Sequence, residues 1–174
     1  MLLVPVPELE RFLRARTEHY DRRFVSSDPT FTHAHVTALG PFRPRLDAAA
    51  AHLVATVAAE IEPFEFRLAR IGTFPNGIIH LLPEPDAPFR ELTRRLAAAF
   101  PDCPPYAGEF PDPVPHLTLD LRSPEVSEAS TRALLGDLVP LTARATRLDL
   151  TWWEPGDCHV VTGWSLGATS AAPR

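Results

Sequence analysis

The sequence predicts an α+β protein whose two similar halves face each other across a cleft. Two observations lead to this fold class. Segments with the apolar alternation of strands and segments with helical periodicity follow one another along the whole chain. A weak repeat also divides the chain, because LLVPVPELERFL at 2–13 and LLPEPDAPFRELT at 81–93 open similar successions of helix, loop, histidine-bearing strand, helix and hairpin.

The first half contains two predicted helices set between strands. Pro7 suits the first position of a helix, and the sequence PNG at 75–77 predicts a hairpin turn. The predicted strands are Leu2–Val6, Phe31–Leu39, Phe64–Thr73 and Ile78–Leu82, and the predicted helices run from Pro7 to about Arg22 and from Asp47 to Ile61.

The second half repeats this order around a long loop. Six prolines between residues 101 and 115 predict a stiff, irregular segment there. Ser123 is placed to cap the helix that follows the loop and its strand. The predicted helices are Asp86–Phe100 and Pro124 to about Leu138, and the predicted strands are His116–Leu121, Leu141–Trp153 and His159–Leu166.

The chain length of 174 residues suits a single domain. We expect residues 1–166 to form one bilobal domain, with halves of about 2–80 and 81–166, and residues 167–174 to form a flexible tail. A monomer is expected.

The charged residues exclude several classes of function. All 17 basic residues are arginine, so a Walker-A lysine, a Schiff-base lysine and a lysyl-nucleotide intermediate are excluded. The net charge is −5 and the arginines are scattered, whereas a protein that grips duplex nucleic acid carries a basic stripe. A small phosphorylated nucleotide or a short RNA end is the expected partner.

The chain gives no sign of a membrane or secretory location. No apolar run approaches the length of a membrane span, and the first residues lack the basic region of a signal peptide. Cys103 and Cys158 can form at most one disulfide bond, and their spacing suggests no disulfide framework. A cytoplasmic location and no membrane partner are therefore expected.

Two His-apolar-Thr motifs, at residues 35–37 and 116–118, carry the candidate chemistry. Residues i and i+2 of a strand point to the same face, so each motif presents one imidazole beside one hydroxyl. One imidazole can take a proton while the other gives one. Threonine hydroxyls can hold phosphate oxygens, and neither a metal nor another cofactor is needed. The alternative is that both histidines are structural and the threonines merely suit β structure.

These motifs resemble those of the two-histidine phosphoesterases, the superfamily of 2'-5' RNA ligase-like proteins and cyclic nucleotide phosphodiesterases. The resemblance covers residues from about 2 to 166 and is carried by AHVTALGPF at 34–42 and FPDCPPYAGEFPDPVPHLTL at 100–119. It implies a bilobal fold with two antiparallel sheets around a central cleft and helices outside. It also implies cofactor-free chemistry on 2',3'-cyclic phosphates or 2'-5' linkages. Gly40 departs from related sequences, which often carry a larger side chain there.

From this resemblance and the motifs, His35 and His116 are the candidate catalytic residues and Thr37 and Thr118 the candidate phosphate-binding residues. We expect His116 to act as base and His35 as acid in hydrolysis. Four further residues are candidate substrate contacts: His33, Phe42, Arg43 and Tyr106. The other histidines, His80 included, are interpreted as structural or surface groups.

Three alternatives stay open from the sequence. The chain is a nucleotide-binding module without turnover, or an enzyme of the same fold acting on another phosphorylated metabolite, or a metal-dependent hydrolase that uses His33 and His35 as a ligand pair.

Overall fold

A computed structural model describes residues 1–168. The chain forms eight strands and four α-helices in this region. In chain order they are β1 (Leu2–Pro5), α1 (Glu10–Asp21), β2 (His35–Leu39), α2 (Ala48–Ala59), β3 (Phe64–Thr73), β4 (Ile78–Glu84), α3 (Ala87–Ala99), β5 (Leu117–Leu121), α4 (Glu128–Leu135), β6 (Leu141–Ala145), β7 (Arg147–Glu154) and β8 (Asp157–Ser165).

The strands form two antiparallel sheets of four strands each. Sheet 1 has the order β2-β1-β7-β8, and sheet 2 has the order β5-β4-β3-β6. Gly77 and Gly156, both with positive φ, close the hairpins β3–β4 and β7–β8. The α+β class with two antiparallel sheets and two lobes is therefore confirmed.

The two sheets are built alike. In each one, the edge strand carries a His-apolar-Thr motif and pairs with the strand that leads into a long helix; β2 begins at His35, whereas β5 begins at Leu117, directly after His116. The edge strands β2 and β5 pack against each other, so the two motifs meet where the sheets meet. Each sheet takes strands from both predicted halves of the chain, because β3 and β4 join sheet 2 while β7 and β8 return to sheet 1.

The helices cover the sheets through amphipathic faces, and one apolar core joins both lobes. Asp47 caps α2 by accepting a hydrogen bond from the Ala50 amide. The largest fully buried side chains include Phe66, Phe89 and Phe100, which come from sheet 2 and α3 with its C-terminal end. Burial of such side chains is the main stabilising contribution to the fold.

Three predicted elements differ from the structure. Residues 31–34 are not part of β2, which begins at His35, because hydrogen bonds to a side chain of α1 hold this segment as a loop. The predicted strand 141–153 is interrupted at Thr146, and its two parts pair in different sheets. The cap of α4 is Ser127 rather than Ser123, since Ser127 and Ser130 form a reciprocal capping box.

The predicted first helix is also divided. A 3₁₀ turn at Pro7–Leu9 precedes α1, and a second 3₁₀ turn at Arg22–Phe24 follows it. Proline lacks the amide hydrogen, so it fits this first turn without losing a bond.

None of the helices between residues 1 and 168 is long and apolar enough to cross a membrane. Cys103 and Cys158 are both free thiols. From residue 169 on, the predicted tail lies outside the described part of the chain.

Candidate active site

The two motifs show the burial pattern of half-buried strand edges. Val36 and Leu117 are fully buried in the core, while His35 and His116 are only partly buried. Within residues 1–168, the hydroxyls of the two motif threonines (Thr37 and Thr118) make no side-chain hydrogen bond. Each motif therefore presents an imidazole and an available hydroxyl beside the contact between β2 and β5.

His35 is anchored by a backbone carbonyl. Its Nδ1 lies 2.7 Å from the carbonyl oxygen of His33, and a carbonyl oxygen can only accept a hydrogen bond. The proton must therefore be on Nδ1, which leaves the lone pair of Nε2 free for chemistry.

His116 is anchored in the same way. Its Nδ1 lies 2.8 Å from the carbonyl oxygen of Val114, again two residues before the histidine. The two imidazoles thus share one tautomer, with Nε2 as the free nitrogen of each ring.

Both imidazoles are neutral at pH 7 in the free protein. Burial lowers the pKa of His35 from 6.5 to about 4, and the nearby charge of His116 adds to this effect. Burial also lowers the pKa of His116, and the charge of His80 lowers it further. Both Nε2 atoms can therefore accept a proton.

An aromatic ring supports each imidazole. Trp153 of β7 lies with its ring centroid 5.4 Å from that of His35. Phe74, directly after β3, lies edge-on to His116 at 4.9 Å. β7 and β3 occupy equivalent places in the two sheets, so each imidazole packs against an aromatic ring from an equivalent part of its sheet, tilted by 56° at His35 and edge-on at His116.

His80 lies beside His116 rather than at the surface. The residue is 3 % exposed, and its ring stacks on Phe74 at 3.7 Å and lies 5.7 Å from the His116 ring. The pairing of β4 with β5 brings His80 opposite Thr118. Sequence reasoning missed this residue, as it missed Phe74, because the pairing of these strands is not encoded in either strand alone.

Of the four predicted substrate contacts, Tyr106 lies at the site. Its ring is nearly parallel to that of His116, with an angle of 16° and centroids 6.3 Å apart. Its amide donates a hydrogen bond of 2.6 Å to the carbonyl of Gly40, which ties the proline-rich loop to the end of β2. A pocket between these segments is lined by Thr37, Gly40, Tyr106 and Val114, among others.

Two other predicted contacts are engaged elsewhere. Phe42 packs edge-on against Phe100 at 5.0 Å, next to the core. Arg43 forms a two-pronged ion pair with Asp102, at 2.8 and 3.0 Å, and lies over the Phe100 ring. A substrate contact by either side chain stays a prediction.

His33 likewise forms hydrogen bonds within the protein, and its contact with substrate stays a prediction. Its side chain is 0 % exposed. Its Nδ1–H donates to Glu10 at 2.6 Å, and its Nε2 accepts from the Ser26 amide at 3.2 Å. With both ring nitrogens engaged, His33 does not offer a ligand beside His35. Between residues 1 and 168, no group of three His, Cys, Asp or Glu side chains is placed to hold a metal ion.

A fully buried carboxylate fixes the far end of the second motif strand. Asp120, two residues after Thr118, accepts hydrogen bonds from Arg16 at 2.6 Å, Tyr20 at 2.9 Å and Thr131 at 2.5 Å. Because Arg16 and Tyr20 belong to α1, this network joins the helix of one lobe to the motif strand of the other.

Comparisons with known proteins agree with this architecture. The family model of the 2'-5' RNA ligase superfamily matches residues 5–157. TT0787 of Thermus thermophilus has a similar structure, with 24 % identity over 95 % of this chain and 96 % of its own, at a TM-score of 0.61. LigT of E. coli, crystallised with 3'-AMP, is 17 % identical over 96 % of this chain and 97 % of its own, at a TM-score of 0.55.

These two structural likenesses concern the fold. No curated protein sequence matches the chain. The family model, in contrast, includes both motif strands, further strands of each sheet and the proline-rich loop. The chain therefore belongs to the 2'-5' RNA ligase superfamily, the two-histidine phosphoesterases.

Proposed function

We propose that the protein is a metal-independent phosphoesterase that acts on 2',3'-cyclic phosphates or 2'-5' linkages of nucleotides or RNA ends. One observation carries this proposal. Two imidazoles, each fixed through Nδ1 by a backbone carbonyl, offer a free Nε2 beside a threonine hydroxyl at the meeting point of the two sheets. This is the arrangement that acid/base cleavage of a phosphoester requires.

In the hydrolytic direction, His116 acts as the base. Its Nε2 takes a proton from water as the water oxygen attacks phosphorus, and the bond from phosphorus to one ribose oxygen breaks. His35 gives its Nε2 proton to that leaving oxygen, so the ring opens to a phosphomonoester and a free hydroxyl. The two roles exchange in the reverse direction.

The threonines act on the phosphate itself. Negative charge builds on the non-bridging oxygens as the water attacks, and fixed hydroxyl donors stabilise that charge. Thr37 and Thr118 are the residues we propose for this role, since each lies two residues after its histidine, His35 at the start of β2 and His116 directly before β5.

Protonation of His35 is linked to substrate binding. In the free protein both imidazoles are neutral, because burial lowers the pKa of each. A cyclic phosphate brings a negative charge between them, and a nearby negative charge raises the pKa of an imidazole. Acid/base cleavage requires one protonated and one neutral histidine in the bound state.

A small nucleotide is the ligand class that these features favour. Structures of LigT are known with 3'-AMP, NADP+, ATP and phosphate. Tyr106 offers an aromatic face beside His116, and base-aromatic stacking tolerates all four bases. The net charge of −5 disfavours binding of duplex nucleic acid.

The test is turnover of the four 2',3'-cyclic nucleotides by purified protein in excess EDTA. We expect turnover by the wild type and a loss of about a hundredfold or more in kcat for His35→Ala and for His116→Ala. His52→Ala, which removes an exposed histidine of α2, serves as the control and is expected to keep wild-type activity.

Each contrary result has a definite meaning. Turnover that survives loss of either motif histidine would contradict the site. Activity abolished by chelator and restored by a divalent metal would favour a metal-dependent hydrolase. Nucleotide binding without turnover would favour a binding module, and neither binding nor turnover would point to another phosphorylated metabolite.

A further inference from the structure

We propose that Glu10 is a positioning residue for His35 and acts through the peptide group that joins His33 to Ala34. The inference rests on the proposed function, in which His35 is a catalytic acid. Glu10 lies at the start of α1 and is distant in sequence from both motifs.

The Glu10 carboxylate grips the residues before His35 at three points. One oxygen accepts from the His33 amide at 2.6 Å and from the Ala34 amide at 3.2 Å. The other accepts from Nδ1–H of the His33 ring at 2.6 Å. Hydrogen bonds to a charged acceptor are stronger than neutral ones, so this segment is held firmly to α1.

The peptide group between His33 and Ala34 also binds His35, through its carbonyl oxygen. The amide of Ala34 and the carbonyl of His33 belong to one planar unit. Glu10 binds its N–H, and His35 Nδ1–H donates to its oxygen at 2.7 Å. A negative charge on the N–H side polarises the peptide and makes its oxygen a better acceptor. Glu10 thus orients the imidazole and stabilises its protonated form.

The His33 ring makes this arrangement specific for a carboxylate. Its Nε2 accepts from the Ser26 amide at 3.2 Å, which requires the proton to be on Nδ1, facing Glu10. An amide at position 10 could accept from the backbone only by turning its NH₂ group toward that proton. In Glu10→Gln, the amide NH₂ group and the His33 Nδ1–H would therefore face each other as two hydrogen-bond donors without an acceptor, which is unfavourable in a buried site.

In the first motif, Glu10 and the peptide group between His33 and Ala34 form a relay that connects the carboxylate to His35. The second motif has no such relay. The Val114 carbonyl that anchors His116 belongs to the peptide bond with Pro115, whose nitrogen carries no hydrogen. No carboxylate can polarise that peptide through an N–H. The two histidines are therefore tuned differently, and the one with the relay is the acid of the proposed hydrolysis.

The test compares Glu10→Gln with Glu18→Gln, which makes the same charge change on an exposed part of α1. Nitrogen-15 NMR of labelled histidines reports the His35 tautomer, with the His35 signals assigned by their loss in His35→Gln. Steady-state kinetics on a 2',3'-cyclic nucleotide separates kcat from KM. Ala34→Pro is a second variant, which removes the N–H that links Glu10 to the anchoring peptide and keeps the carboxylate.

We expect wild type and Glu18→Gln to show His35 only with its proton on Nδ1. Glu10→Gln should show a mixture of both tautomers, with kcat reduced about tenfold and KM within about twofold. Ala34→Pro should lie between Glu10→Gln and wild type in kcat. A folded Glu10→Gln protein with the wild-type tautomer and wild-type kcat would overturn the proposal. Because the tautomer is measured without substrate, it decides the role of Glu10 even if cyclic nucleotides are not turned over.

Discussion

In the first half of the site, His35 is held by a loop that α1 fixes through Glu10, whereas in the second half His116 is held by a carbonyl between prolines. The geometry at the two rings is nearly identical, with Nδ1 to oxygen distances of 2.7 and 2.8 Å. One anchor is fixed by hydrogen bonds to a distant helix. The other gains stiffness from Pro113 and Pro115, whose rings restrict the backbone locally. The same ring orientation therefore depends on contacts with a distant helix at His35 and on local restriction of the backbone by prolines at His116.

Helix α1 contacts both halves of the site, so we expect these contacts to contribute to the stability of the folded protein. Its first residue, Glu10, binds the loop before β2, and its later residues Arg16 and Tyr20 bind Asp120 of β5. The helix therefore holds the two motif strands in register with each other.

The largest effect is expected from breaking the contact between α1 and β5. The Asp120 side chain is fully buried and that of Arg16 is 14 % exposed, so removing one partner leaves a buried charge without compensation. We expect Asp120→Ala to lower the free energy of unfolding by about 3 kcal/mol or more, measured by urea denaturation.

Asp102→Ala is the matched control for Asp120→Ala. Asp102 also pairs with an arginine, Arg43, but the pair is exposed, so the unfolding midpoint should stay close to that of the wild type. If Asp120→Ala were as mild as this control, α1 would not be the element that couples the two halves.

The next effect concerns pH. The pKa of His35 is about 4 in the folded protein and 6.5 without burial, so between these values the unfolded chain binds more protons. The stabilising contribution of neutral His35 is complete above about pH 6.5 and decreases as the pH falls toward 4. We expect the free energy of unfolding to fall between pH 7.5 and pH 5 by about 1 to 2 kcal/mol more in the wild type than in His35→Gln.

The choice of pH 5 and of His35→Gln as the reference assigns the pH dependence to His35. Denaturation at pH 5 avoids the range in which ordinary carboxylates take up protons. The pKa of each histidine is also lowered by the charge of a neighbouring histidine, since His116 acts on His35 and His80 acts on His116. A pH dependence that is the same in His35→Gln as in the wild type would show that His35 is not held neutral by burial.

The sequence predicted those parts of the site that depend on neighbouring residues. Period-2 alternation places Thr37 beside His35 and Thr118 beside His116, and the proline-rich segment 101–115 is indeed irregular. Most helices and hairpins follow from turn and capping residues in the same way. The division of the predicted strand 141–153 into β6 and β7 was not evident from the sequence. An alternating pattern does not show that the chain passes from sheet 2 to sheet 1 at Thr146.

The parts that could not be predicted are contacts between distant segments. Glu10 reaches His33 only because α1 packs across the loop before β2, and His80 reaches His116 only through the register of β4 with β5. Neither residue lies in a recognisable motif. A glutamate at the start of a helix is commonly a partner of the helix dipole, which gives no reason to connect it with a histidine of another element.

The smallest effect is expected at Tyr106, where the second half of the site is open to a ligand. The ring lies beside His116, and burial raises the pKa of its phenol, so the side chain is neutral at pH 7.

If a nucleobase stacks on this face, Tyr106→Ala should raise KM for a 2',3'-cyclic nucleotide about tenfold, within the range of stacking energies, with kcat changed far less. Tyr106→Phe retains the ring and should keep the wild-type KM. Trp153 is packed between Phe31 and His35, so a conservative Trp153→Phe should affect stability more than KM. Equal effects of Tyr106→Ala and Tyr106→Phe would assign the role to the phenol hydroxyl, whereas an unchanged KM in both would show that no base stacks on Tyr106.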